Sequence, residues 1–186
     1  MEKRMNKKFK ILIICVVAGS TILEAAEERW ASREELLYGF GNINIQDKFG
    51  MTSLMKAVIN KRLNVVKELL ENGANVDIQD ASGITALMYA ASYTKDLDIL
   101  EELLENGANV DIQDASGMTP LMHAIKGRFF KGIPLLIDKK PNPHLRNTLG
   151  QTAWEIVDQV ATFPVEVCEV LYNLTNGRRL ILKKKG

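Results

Sequence analysis

The chain has 186 residues, 46% of them hydrophobic and 25% charged, and a formal net charge of +1. Those values suit one globular domain with attachments and exclude collagen-like and intrinsically disordered classes. The near-neutral total conceals an uneven distribution, because Lys3, Arg4, Lys7, Lys8 and Lys10 all fall within the first ten positions.

An apolar run, "ILIICVVAG" (Ile11 to Gly19), follows that basic start, is extended by Ile22 and Leu23, and gives way to small residues. Basic opening, short apolar middle and small-residue exit have the shape of a secretory signal peptide, placed at residues 1–25. The uninterrupted run is well short of the roughly 20 residues that span a bilayer as a helix. Cleavage and export, to a bacterial periplasm or the exterior, are therefore expected, with cuts after Ser20, Ala25 or Ala26; a retained leader anchoring the chain to an inner membrane is the alternative. Cys15 follows Ile14 rather than a small residue, which argues against a lipid-bearing cysteine at the new N-terminus. Removing the leader brings the formal charge to about −2, so the body lacks the broad basic footprint of a nucleic-acid binder. The remaining thiol, Cys168 in "VEVCEVLYNL", reads as a small buried hydrophobe. One thiol leaves no internal disulfide and, with two histidines, no Cys/His quartet for zinc.

Residues 26–47, "EERWASREELLYGFGNIN" at their heart, predict an amphipathic N-terminal capping helix offering Trp30, Leu36, Leu37 and Phe40. Beyond it the chain repeats itself: "ENGANVDIQDASG" occupies residues 71–83 and, letter for letter, residues 105–117. "MTSLMKAV", "ITALMYAA" and "MTPLMHAI" follow successive copies of the loop, and "QTAWEIV" is a worn fourth copy. Gly50, Gly83, Gly117 and Gly150 recur at separations of 33, 34 and 33, each two places before Thr52, Thr85, Thr119 or Thr152. Glycine accepts positive φ and the threonine hydroxyl accepts from orphan amides as an N-cap, so each Gly-x-Thr step ends a turn and opens a helix. A second helix per unit is marked by Val65, Val66, Leu69 and Leu70, then by Ile99, Leu100, Leu103 and Leu104, apolar pairs one turn apart. Gly73 and Gly107 stand where a left-handed C-terminal cap is wanted. In the third unit Gly132 and Pro134 predict a shortened second helix. Lys140, in the place of Gly73 and Gly107 and followed by "PNPH", predicts a third loop that departs from the earlier turn.

This pattern resembles the ankyrin repeat, whose period is about 33 residues and whose signature is T-P-L-H-x-A. The resemblance covers roughly Ile43 to Leu174 with a degenerate half-repeat in front. It implies an all-α fold, an ankyrin-repeat solenoid of stacked helix-turn-helix units with projecting β-hairpin-like finger loops. The units are placed at 48–80, 81–114 and 115–147, with a C-terminal capping repeat at 148–176 inside a 26–176 domain and a basic tail at 177–186. Each unit is too small to bury a core alone, so stability is a sum over neighbouring interfaces. Met55, Met88 and Met122 fill the motif's His position, Glu155 fills it in the fourth unit, and His123 lies one place beyond it as a helix-face residue. Methionine cannot form the Thr–His hydrogen bond of the motif, which leaves Thr capping and packing to hold the turn.

No GxxxxGK, HExxH or GxSxG pattern occurs, so the phosphate loop, the metalloprotease helix and the nucleophile elbow have no candidates. Adjacent Glu101 and Glu102 point apart on a helix, and the "NLT" sequon at Asn173 falls in an apolar helix pattern. The resemblance implies a non-enzymatic, monomeric module without cofactor or metal that binds a protein through finger tips and the concave helix face; an enzyme or metal protein on a repeat scaffold is the reading from another class. Carried over by position, the partner-binding candidates are Lys48, Phe49, Met51, Ile84 and Met118 on the fingers and Ile59, Asn60, Ser92, Tyr93 and Lys126 on the helices. Phe49, Met51, Ile84, Tyr93 and Met118 make an apolar row that the repeat core does not require, either exposed for a partner or packed between neighbouring fingers.

Overall fold

The structure, a computed structural model, describes residues 43–158 and residue 164. The expected leader, the N-terminal cap with Trp30, Leu36, Leu37 and Phe40, Cys168, the Asn173 sequon and the basic tail lie outside the described residues. Among those described, every regular element is helical. Helices α1 (Ser53–Ile59) and α2 (Leu63–Glu71) form one antiparallel hairpin. A second hairpin joins α3 (Ala86–Tyr89), prolonged by a π-helical turn (Ala90–Thr94), to α4 (Leu97–Glu105). The third pairs α5 (Pro120–Gly127) with α6 (Ile133–Asp138), and α7 (Ala153–Asp158) opens the fourth unit.

Threonine starts each first helix. Thr52, Thr85 and Thr119 have extended backbones and accept through Oγ1 from the amides of Met55, Met88 and Met122 at 3.3 Å. In the first unit methionine does more than the sequence reading allowed: the Thr52 amide donates to Met55 Sδ at 3.5 Å, so the sulfur partly stands in for the motif's histidine. In the fourth unit Glu155 completes a full capping box: its Oε2 accepts from the Thr152 amide at 2.7 Å while its own amide donates to Thr152 Oγ1 at 3.3 Å. The threonines are themselves buried, so their hydroxyls must be satisfied internally.

Second helices supply the buried stripe. Val66, Leu69, Ile99, Leu100 and Leu103 are fully enclosed and join Leu54, Leu87, Leu121 and Ile125 of the first helices in one continuous core. Helix α1 packs on α3, and α5 packs on the π-helical turn and on α7, so each unit covers the apolar flank of the next. Helix α6 has six residues against nine in α2 and α4, the expected shortening. Pro134 sits in its first turn, where a missing amide costs little. A Cβ on Gly132, its N-cap, would stand 2.5 Å from the Phe129 ring.

The uneven spacing of the glycines has a local cause. First helices end on a left-handed residue nine places after threonine in units one and three (Lys61, Arg128) but ten places after it in unit two (Lys95). The π-helical turn, closed by the Lys95 amide donating to the Ala90 carbonyl at 3.1 Å, absorbs the extra residue; such single-turn bulges are how an α-helix takes an insertion without losing its register. Gly127 of the next unit lies against that bulge, and a Cβ there would meet Ser92 Cα at 3.3 Å.

The third loop differs from expectation. Lys140 takes the left-handed conformation of Gly73 and Gly107, with φ of +55° against +83° and +80°, and its amide donates to the Ile137 carbonyl just as Gly73 donates to Leu70. Pro141 lacks the amide that Ala74 and Ala108 give to Leu69 and Leu103, so one cap bond is lost. The turn is nevertheless copied because its next anchor comes from the neighbouring unit: the Asn142 amide donates to Asp111 Oδ1 at 2.7 Å, as Asn109 does to Asp77 and Asn75 to Asn44.

Candidate functional site

Each finger is closed by its own backbone and tied to the next. Asp47, Asp80, Asp114 and Asn147 donate through their amides to Met51, Ile84, Met118 and Gln151. Their Oδ1 atoms in turn accept two amides of the tip, those of Ser82 and Ile84 on Asp80, for example, at 2.8 and 2.9 Å. Between tips, the amides of Ala81, Ala115 and Thr148 donate to the carbonyls of Phe49, Ser82 and Ser116 at 2.9–3.0 Å. Gln46, Gln79 and Gln113 each bridge their own tip glycine carbonyl and the backbone of the following finger, and Arg146 takes over the first of these roles at Gly150. The tip glycines permit this closeness: a Cβ on Gly50 would stand 2.6 Å from the Ala81 nitrogen. The doubled thirteen residues are thus a ladder, and a ladder requires the same rung at every step.

Two candidates on the fingers and helices are well exposed apolar or aromatic groups. Phe49 is 59% exposed, with the Lys48 ammonium 5.0 Å from its ring centroid, and Tyr93 is 77% exposed at the π-helical turn, edge-on to Tyr89. The other three of the apolar row occupy one equivalent position just before the capping threonine, where each is buried or half-buried. Met118 does not stand on the surface: it is 4% exposed and its Sδ lies 3.8 Å from Asn147 Nδ2. Met51 and Ile84 are half-buried, Met51 against the core. On the helices, Asn60 and Lys126 are exposed while Ile59 and Ser92 are half-buried. The Asn60 amide and the Ser92 hydroxyl are turned back onto the carbonyls of Lys56 and Met88.

Sequence reasoning missed Leu149, 78% exposed at the fourth tip in the place of Phe49, and Ile45, 45% exposed. The register of Gly150 with Gly50 was the signal that could have found Leu149. It also missed a link from each finger to its own first helix, nine residues on. Asp47 pairs with Lys56 at 2.8 Å, Asp80 accepts from the Tyr89 hydroxyl at 2.6 Å, and Asp114 meets His123 Nε2 at 2.8 Å. Lys56, with the amides of Met51 and Phe49, holds the Asp47 carboxyl down at about 2. Burial first, and then the Asp80 carboxylate, push the Tyr89 phenol well above its ordinary value. In the fourth unit Arg146 meets Glu155 at 2.9 Å. The Thr152 amide is the first cause that lowers the Glu155 carboxyl, with Arg146 adding to it. Here His123 is a clasp between finger and helix.

A family model described as ankyrin repeats (3 copies) matches residues 22–114 and 91–157. The chain belongs to the ankyrin repeat family. Its described units are ankyrin repeats in geometry as in pattern, and the fold is an all-α repeat solenoid. Comparison with curated proteins gives no match. Ankyrin repeats generally mediate protein–protein interaction and are typically non-enzymatic scaffolds. Among the described residues, no helix is long and apolar enough to cross a membrane.

Proposed function

We propose that this ankyrin repeat protein is an exported, non-enzymatic module that holds a partner protein through its finger tips and the exposed face of its first helices. One observation carries the reading: Phe49, Tyr93 and Leu149 are 59–78% exposed and, with Ile45 at 45%, are the large apolar or aromatic groups that stand on the surface among the described residues. Large exposed side chains of this kind are candidate anchors of a protein contact, aromatic residues above all. Lys48 beside Phe49, and Asn60 and Lys126 on the first helices, add exposed polar groups. Export rests on the basic, apolar and small-residue order of residues 1–25. Partner capture from the exported fraction, with the natural chain and with Phe49→Ala, Tyr93→Ala and Leu149→Ala combined, tests the surface. Loss of a specific partner supports it, and equal recovery by both chains rejects it. Intact mass of the exported chain tests the leader: an uncleaved, membrane-bound form points to a tethered scaffold instead.

A further inference from the structure

The hairpins have a second edge. Each first helix leaves a finger and each second helix returns to the next, so the turn between them lies at the far end of the pair. At that edge Lys61, Lys95 and Arg128 occupy the left-handed conformation, with φ of +54°, +50° and +56°. Non-glycine residues rarely adopt it, and glycine is the usual occupant of a helix C-terminal cap. This chain uses glycine for that purpose at Gly73 and Gly107, where second helices meet the fingers. At the far edge it places a cation in all three described units, against the local backbone preference. Lys140, the fourth such cation, lies on the finger side. Lys61, Lys95 and Arg128 are exposed, and among the described residues none of them takes part in an ion pair. Arg62 and Lys131, also exposed, reinforce the row.

Spacing identifies what the row fits. First helices of successive units pack directly on one another, so the cations step along the edge at about 10 Å, the separation of packed helices. A polyproline II segment has three residues per turn and rises about 3.1 Å per residue, so side chains on every third residue share a face and recur at about 9 Å. The geometry points to an acidic peptide segment in polyproline II form, with a carboxylate at every third position, docking along Lys61, Lys95 and Arg128. The row adjoins Asn60, Tyr93 and Lys126 at the far ends of the first helices and is remote from the finger tips. The glycine variant described next keeps Phe49, Tyr93 and Leu149, so failure of this inference and failure of the function proposed above are read from different substitutions.

The probe is a synthetic peptide with glutamate at every third position and proline elsewhere, set against a peptide of the same composition with its glutamates clustered. Binding to the full chain is measured by fluorescence anisotropy at low salt. Glycine is the informative substitution, since K61G/K95G/R128G removes the charges while giving the backbone its preferred residue; circular dichroism verifies that the variant is folded. The periodic peptide binds the natural chain more tightly than the clustered one and loses about tenfold with the glycine variant, the sum of three modest exposed pairs. A control with K48Q/K67Q/K139Q retains most of the affinity. Equal binding of the two peptides, equal loss in the control, or no loss in the glycine variant overturns the proposal. Phosphatidylglycerol vesicles that bind more tightly than either peptide, through the same three residues, assign the row to a membrane surface and overturn it too.

Discussion

Nε2 of His123 stands 2.8 Å from Oδ2 of Asp114, and that carboxylate also accepts the amides of Ser116 and Met118 through Oδ1 at 2.8 Å each. One side chain therefore gathers the tip of the third finger and fastens it to α5. Asp114→Ala leaves the amides and the imidazole without their common acceptor. Hydrogen bonds to charged groups contribute about 1.5–3 kcal/mol, so urea unfolding is expected to show a loss of about 2 kcal/mol. Tyr89→Phe, which removes a single bond to Asp80, is expected to cost about 1 kcal/mol.

The equivalent pair in the first unit sets an acid response. Asp47 is held at about 2 in the folded chain by Lys56 and the tip amides, below the ordinary carboxyl value of about 3.9. A depressed folded value means that the contribution is fully present above pH ~4 and is lost as pH falls toward 2. Lys56→Gln removes the first cause and should raise the Asp47 titration seen by NMR, leaving a smaller stability change across that acid window. An unchanged titration would show that the tip amides alone hold the carboxylate.

Two glycines with similar backbone angles separate strain from crowding. Gly73 has φ of +83° and nothing within 4 Å of a Cβ, whereas Gly83 has φ of +77° and a Cβ there would meet the Ala115 nitrogen at 2.8 Å. Gly73→Ala is expected to cost the left-handed penalty of about 1 kcal/mol. Gly83→Ala adds an overlap with the backbone of the next finger and should cost about 1–3 kcal/mol more. Thermal unfolding of the pair measures the difference.

Much of this stack was legible in the sequence because its determinants are local and repeated. The glycine–threonine register marks where first helices begin, and the valine and leucine pairs mark the buried stripe of α2 and α4. What was missed depends on the neighbouring unit or on contacts across the finger. Met118 occupies a position like that of exposed finger residues in a linear reading, but the fourth finger covers it. Lys140 and Pro141 break the local cap pattern, yet the loop keeps its course because Asp111 of the preceding finger holds Asn142. The ties from Asp47, Asp80 and Asp114 to residues nine places on were visible as a spacing, but Lys, Tyr and His share no residue type that would signal one role. The extra residue of the second unit was visible as a separation of 34, and the π-helical turn shows where it went.

The central claim is that each finger is held in register by the next. Hydrogen exchange at the amides of Ala81, Ala115 and Thr148 tests it most directly, because each donates to the tip before it. Protection close to that of the Leu69 and Leu103 amides, lost at Ala115 when Gly83→Ala pushes the tips apart, is the predicted result. Exchange at these three amides as fast as in an open loop would contradict the ladder and the surface built upon it.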